Sequence, residues 1–247
     1  MIHYHGLPIT PATVAARAVA AGHAFVSFAH PDQLTIALEV AQSFAIDNGA
    51  FSAWKSGRAV LDWRPYYLFV GDVARIPGFD FAVIPDVIDG DEVANDALVA
   101  EWPFRGRDIG HGAPVWHLHE SLDRLERLVH EWPRVCLGSS GEFSSIGTLA
   151  WWSRMAEAMA VVCDRDGRPV TKLHGLRMLD PEIFGRFPFH SADSTNIGRN
   201  VGIDSAWRGT YTPPTKECRA QVMRERIESH NSAAWWEVTP IQQGLFA

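Results

Sequence analysis

The chain is poor in cysteine: among its 247 residues only Cys136, Cys163 and Cys218 occur, far apart and with no Cys-x-x-Cys pair. That excludes a disulfide framework and a thiolate zinc knuckle, and it fits a reducing, intracellular setting such as the cytoplasm. Long apolar runs are missing as well. None approaches the roughly 20 residues of a membrane helix, and the opening MIHYHGLPITP has no basic stretch leading into an apolar one, so no secretory leader and no membrane partner are expected. No G-x-G-x-x-G or Gly-Lys-Ser/Thr loop follows any apolar run, which removes the usual sign of a nucleotide cofactor. Positive charge is in deficit. Lys plus Arg number 22 against 29 Asp plus Glu, a net charge of −7, so bulk charge does not hold nucleic acid and only a local basic groove could.

What is present is an ordinary globular composition, 47% apolar and 21% charged, enough for a large core. Apolar runs alternate with amphipathic stretches. Strands are predicted at Ile2–His5, His23–Ala29, Phe44–Asp47, Phe81–Pro85, Val115–His119, Arg134–Leu137, Lys172–Met178 and Ser191–Ser194. Helices are predicted at Pro11–Ala21, at Gln33–Gln42 behind an Asp32 cap, at Ser121–Trp132 and at Ser145–Cys163. Leu122, Leu125, Leu128 and Val129 share one helix face; Trp151, Trp152, Met155 and Met159 form a stripe that reads as helix-on-sheet packing. Ile197–Lys216 reads as a loop and Lys216–His230 as a closing helix. About eight strand–helix units with buried-type strands imply a parallel sheet, and their number and length match a single (β/α)8 TIM-type barrel over residues 1–247. A doubly wound open sheet is the rival.

In such a barrel the C-terminal strand ends form the active site. Here they carry Asp47-Asn48-Gly49, Pro85-Asp86, His117-Leu118-His119-Glu120, Gly138-Ser139-Ser140-Gly141-Glu142 and Asp193-Ser194-Thr195-Asn196. A single Asp after a strand is often a cap or turn former; three converging carboxylates are a different matter. Paired carboxylates suit chemistry at an anomeric carbon, one at the carbon and one moving protons. The Gly-Ser-Ser-Gly turn offers amides to a planar carbonyl or an anion, or is simply a tight turn.

Asp47-Asn48-Gly49-Ala50-Phe51 resembles the Asp-Ser-Gly-Gly-Phe/Tyr motif of tRNA-guanine transglycosylases. Pro85-Asp86, Leu137-Gly138-Ser139-Ser140-Gly141-Glu142, His174-Gly175-Leu176 and Ala192-Asp193-Ser194 then follow in that family's order, across about residues 44 to 200. The look is nearest to the compact, phage-type members, which exchange guanine in DNA for a 7-deazaguanine. The resemblance implies that Asp193 is the nucleophile at C1′ and Asp47 the proton-transfer residue. It implies that Asp86 reads the purine N1–H and 2-amino edge, and that Gly138, Ser139 and Ser140 hold the base carbonyl. Asn48, Gly49, His117, His119 and His174 complete the expected base site. The chain departs from the family in three places. Only Cys218 stands where three Cys and a His bind zinc, so no zinc subdomain and no metal are expected. Trp116, His117 and His119 occupy strand five, where members place a Gln. The turn reads Gly-Ser-Ser-Gly, not Gly-Gly with an apolar residue.

The partners so implied are DNA, with tRNA as the alternative, and a free 7-deazaguanine base such as preQ0; double displacement needs no cofactor, and members of the family often form homodimers. A flipped or single-stranded nucleotide is required. Arg105, Arg107, Arg199, Arg208, Lys216 and Arg219 are candidates for backbone contacts. Three other readings stay open: a metal-dependent hydrolase of the amidohydrolase type using His3, His5 and Asp193, a retaining glycosidase with Glu120 as its acid, and a non-catalytic binding module.

Overall fold

A computed structural model of the chain describes residues 1–58, 60, 62–104, 110–207 and 211–237. Short runs of apolar and small residues bounded by turn formers make nine parallel strands among them. These are β1 (Ile2–Leu7), β2 (His23–Ser27), β3 (Ser43–Asp47), β4 (Phe79–Val83), β5 (Gly112–Ala113), β6 (Val115–His117), β7 (Arg134–Gly138), β8 (Lys172–Gly175) and β9 (Ser191–Ser194). Their hydrogen-bonded order is β5-β4-β3-β2-β1-β9-β8-β7-β6. The two ends of that row, β5 and β6, are separated in sequence only by Pro114, which has no N–H to give a ladder. β5 pairs with β4 and β6 with β7, while the Pro114 carbonyl still accepts from Cys136 N at 2.9 Å. The sheet is thus nearly closed into a TIM-type barrel whose fifth strand is broken by a proline, and the open-sheet alternative does not apply.

Helices separate the strands: α1 (Ala12–Val19), α2 (Leu34–Val40), α3 (Ala50–Lys55), α4 (Arg64–Val73), α5 (Glu92–Glu101), α6 (Leu122–Glu131), α7 (Leu149–Val162), α8 (Pro181–Phe184), α9 (Asn196–Asn200) and α10 (Lys216–Glu228). Several begin where a side chain satisfies an orphan amide. Asp91 accepts from Ala94 N, Ser121 from Arg124 N, Thr148 from Trp151 N and Thr215 from Cys218 N. The expected Leu face of α6 and the Trp-Met stripe of α7 do pack on the sheet: Leu125, Leu128, Trp151, Met155 and Met159 are fully buried.

Several boundaries differ from expectation. Asp32 caps nothing; it lies within a 3-10 turn, Pro31–Gln33, that precedes α2. Residues expected to extend β2, β4, β6 and β8 leave the ladder early, at Ser27, Val83, His117 and Gly175, and form the loops above the barrel. The expected loop 197–216 contains most of α9 and a 3-10 turn, Asp204–Trp207. Ile197 and Val201, four apart, anchor α9 in the core, a signal hidden by the glycines and asparagines around them.

Strand alternation divides the buried apolar residues into two bodies. Tyr4, Phe25, Ala45, Phe81, Val83, Ala113, Val115 and Cys136 fill the barrel interior. The opposite strand faces, with Val26, Ile46, Trp116, Leu137 and Ala192, pack on the helices. At the lower end of the barrel Arg134 grips both carboxylate oxygens of Asp80, at 2.7 and 2.9 Å, and Tyr4 donates to the same Asp at 2.6 Å.

Candidate active site

The interior layer dictates the site. One step of two residues above Phe25, Ala45, Val115 and Cys136 stand Ser27, Asp47, His117 and Gly138, on the same inward face but at the open, C-terminal end of the barrel. These four, with Gly6, Asp193 and residues of the loops, line a cavity of about 260 Å³. Asp47, Asn48, Asp86, His117, Gly138, Ser139, Ser140 and Asp193 all face it, so eight of the sequence-derived candidates converge on one space.

Asp47 and Asp193 have different surroundings. Asp47 Oδ2 accepts from Ser27 Oγ at 3.0 Å and from Gly49 N at 3.2 Å. Burial pushes its carboxyl up to about 7; the charges of Asp193 and Asp86 add to the push, against the two hydrogen bonds. Gly49 has a left-handed φ of 80°, and a Cβ there would stand 3.2 Å from Ala29 N. Its role is to turn the chain so that its amide returns to Asp47. Asp193 Oδ1 accepts from Arg177 N at 3.0 Å, and Oδ2 has no partner among the described residues. Arg177 holds a left-handed φ of 61° to deliver that amide. Below Asp193 the fully buried His174 hydrogen-bonds Ser191 Oγ at 2.8 Å, with Nε2 3.3 Å from Asp193 Oδ1 but poorly aligned. Burial drives the His174 pKa below its ordinary value despite the neighbouring Asp193, so it acts as a neutral spacer.

Asp86 is held on both sides. Asn48 Nδ2 donates to Oδ1 at 2.7 Å and His117 Nε2 lies 2.9 Å from Oδ2. His117 Nδ1 is 3.1 Å from Ser140 Oγ, which is 2.9 Å from His119 Nδ1. Gly138 makes room for this row, since a Cβ on it would lie 3.1 Å from both His117 Nδ1 and Val115 Cγ1. Gly138→Ala is therefore expected to cost about 1–2 kcal/mol by overpacking and to displace His117. Urea unfolding measures the first effect and the His117 ring resonances the second.

Three expected site residues, Gly49, His119 and His174, do not face the cavity and act instead through Asp47, Ser140 and Asp193. The Ser139 hydroxyl is engaged by Trp151 Nε1 at 2.9 Å. Trp116 turns outward into the helix layer. Glu120 is a structural carboxylate, buried and hydrogen-bonded by Asn95, His117 N and Arg124. His3 and His5 flank the inward Tyr4 and so point outward: His3 contacts His230 O at 3.0 Å and His5 contacts Glu228 at 3.0 Å. Among the described residues no cluster of three or more His, Cys, Asp or Glu is arranged to hold a metal ion. Of the proposed backbone contacts, Arg199 lines the cavity mouth. Arg219 is tied to Asp204 and Pro213, and Lys216 stands on α10 outside the cavity. Arg105, Arg107 and Arg208 lie outside the described residues.

Sequence reasoning missed Ser27, Phe51, Lys55, Leu176 and Arg177 as cavity residues. Ser27 could have been found by counting two from Phe25 and Phe51 by its place in the quoted motif; nothing local marks Arg177. Its guanidinium lies 4.9 Å from the Phe51 ring centroid and reaches the carbonyls of Ser139 and Ser144 at 3.3 Å. Arg177, Lys55 and Arg199 gather at the mouth with no carboxylate in ion-pair contact among the described residues.

No helix among the described residues is long and apolar enough to cross a membrane. No protein-family model matches the chain, and no curated protein is significantly similar to it. A solved structure described as "Structural study of Project ID from Aquifex aeolicus VF5" is similar over 92% of this chain and 93% of that one. It has a TM-score of 0.50 at 10% sequence identity. The likeness is one of fold.

Proposed function

We propose that the chain is a base-exchange glycosyltransferase that replaces guanine in DNA with a 7-deazaguanine such as preQ0, through a glycosyl ester on Asp193. The observation that carries this reading is the pair of unlike carboxylates on one small cavity. Asp47 keeps a proton near neutrality, and Asp193 has one oxygen fixed by a backbone amide and the other unpartnered among the described residues. A cavity of about 260 Å³ is at the small end for ligand sites and suits one heterocycle better than an oligosaccharide.

A target nucleotide leaves the stack to enter. Asp193 Oδ2 attacks C1′ as the bond from C1′ to the guanine nitrogen breaks, and Asp47 gives its proton to the departing base. The incoming base returns a proton to Asp47, and its nitrogen displaces the Asp193 carboxylate from C1′. Asp86 accepts from the base N–H edge with the lone pairs that Asn48 and His117 leave free, while Phe51 and Leu176 supply flat apolar walls. Lys55, Arg177 and Arg199 at the mouth would meet the flanking phosphates. Reversing both Lys55 and Arg199 to Glu is expected to weaken DNA binding about tenfold or more and to lower the slope of affinity against salt by about 2. Fluorescence anisotropy over a salt series checks both.

DNA is chosen because the sequence resemblance is to the DNA-modifying members. Incubation with guanine-labelled duplex DNA or tRNA and preQ0 tests the assignment. Label release from DNA alone is expected, release from tRNA alone would move the substrate, and release from neither would overturn the reading.

A further inference from the structure

The donors and acceptors along one row of hydrogen bonds fix the place of a proton. His119 Nε2 lies 3.0 Å from the Gly90 carbonyl. A carbonyl only accepts, so Nε2 carries a hydrogen. His119 Nδ1 and His117 Nδ1 both contact the Ser140 hydroxyl, at 2.9 and 3.1 Å. That hydroxyl has one hydrogen: it donates to one imidazole and accepts from the other. His117 Nε2 then meets Asp86 Oδ2 at 2.9 Å, and one proton must lie between them. The other end is closed, because Asn48 Nδ2 donates to Asp86 Oδ1 and to Ile84 O, and Asn48 Oδ1 accepts from Ala50 N.

Whichever way the serine points, the row holds one proton more than two neutral imidazoles and a carboxylate. If Ser140 donates to His119, the extra proton belongs to the His117–Asp86 pair. If it donates to His117, His119 is the imidazolium. The two arrangements interconvert by one concerted step. The Nδ1 proton of His117 passes to Ser140 Oγ as the serine proton passes to His119 Nδ1, and the two hydrogen bonds at Ser140 survive with their directions reversed.

We propose that Asp86, His117, Ser140 and His119 form a proton relay that sets the charge of the cavity wall. With the proton on the cavity side, Asp86 and His117 together are neutral. With it on half-buried His119, which does not face the cavity, Asp86 presents an uncompensated carboxylate to the ligand. The second state favours a heterocycle that offers adjacent N–H donors, and the first tolerates its departure. This rests on reading the cavity as a base pocket. His119 is a positioning residue, acting through Ser140. The charged and titratable groups around the row include Asp47 and Asp193 across the cavity, Lys55, Arg177 and Arg199 at its mouth, and Tyr66 and Cys136 behind it. Outside it Glu120 is paired to Arg124, and Arg154 donates to the Leu118 carbonyl.

The test is nitrogen NMR of the full chain with labelled histidine, followed across pH. In the wild type, His119 Nε2 keeps its proton throughout. The Nδ1 signals of His117 and His119 move together, each by a fraction of the full protonation shift. In Ser140→Ala the two rings titrate separately with full amplitude, and Ser140→Thr restores the joint behaviour. Separate wild-type curves, an unprotonated His119 Nε2, or curves indifferent to Ser140→Ala would each overturn the relay. None of these readouts needs base exchange. A shared proton in a protein that releases no guanine would leave the relay standing and remove the function assigned to the cavity.

Discussion

Asp193→Asn is expected to abolish base exchange, by about 10⁴-fold or more, and to change unfolding free energy by less than about 1 kcal/mol. The asparagine keeps a carbonyl oxygen to accept from Arg177 N, now 3.0 Å away, and it keeps the shape that His174 and Ser191 surround. What it loses is the negative oxygen that closes on C1′. If the sugar were passed on through a free oxocarbenium ion that the carboxylate merely stabilised, a smaller loss of about 10²-fold would follow. Single-turnover release of labelled guanine, read beside urea unfolding of the same samples, separates loss of chemistry from loss of fold.

Asp47→Asn is expected to stabilise the protein at alkaline pH while it impairs catalysis. In the folded chain burial raises the Asp47 pKa from 3.8 to about 7. Between those values the unfolded chain has already released this proton and the folded chain still holds it. Stability therefore falls as pH rises through the window, is untouched below it and bears the full penalty above it. The whole shift corresponds to about 4 kcal/mol, and access of water through the cavity mouth reduces this to roughly 2 kcal/mol. The variant should gain that amount over the wild type at pH 8 and nothing at pH 4. Its exchange rate should drop about 10²–10⁴-fold for want of a proton donor, and wild-type activity should decline above pH 7. A stability difference that is flat with pH would contradict the buried-carboxyl account.

The parts of the fold written in short-range pattern were legible. β9 spans Ser191–Ser194 as expected, and α6 follows from Ser121 as cap and leucines at helical spacing. The inward carboxylates were legible for the same reason: a strand that ends in Asp carries it on a known face once one interior residue is known. That parity also decides His3 and His5, but only after Tyr4 is known to point inward, which is a property of the closed barrel. What the sequence concealed depends on neighbours across strands. Asp86 meets His117 because the β4 loop and β6 adjoin through the strand that Pro114 breaks. Arg177 reaches Asp193 by a left-handed backbone that nothing in Gly175-Leu176-Arg177 announces. α4 was unread since its stripe of Tyr66, Val70 and Val73 is submerged in a continuous apolar run, and α5 since the residue it buries is the polar Asn95.

The bond at Asp193 is open to direct observation. The protein is incubated with guanine-containing duplex DNA without added base, quenched in denaturant and mapped by peptide mass spectrometry. A deoxyribose-linked adduct on the peptide carrying residue 193, discharged by a later addition of preQ0, is the predicted result. An adduct on Asp47 or Asp86 instead, or exchange that proceeds with no adduct at all, would contradict the assignment.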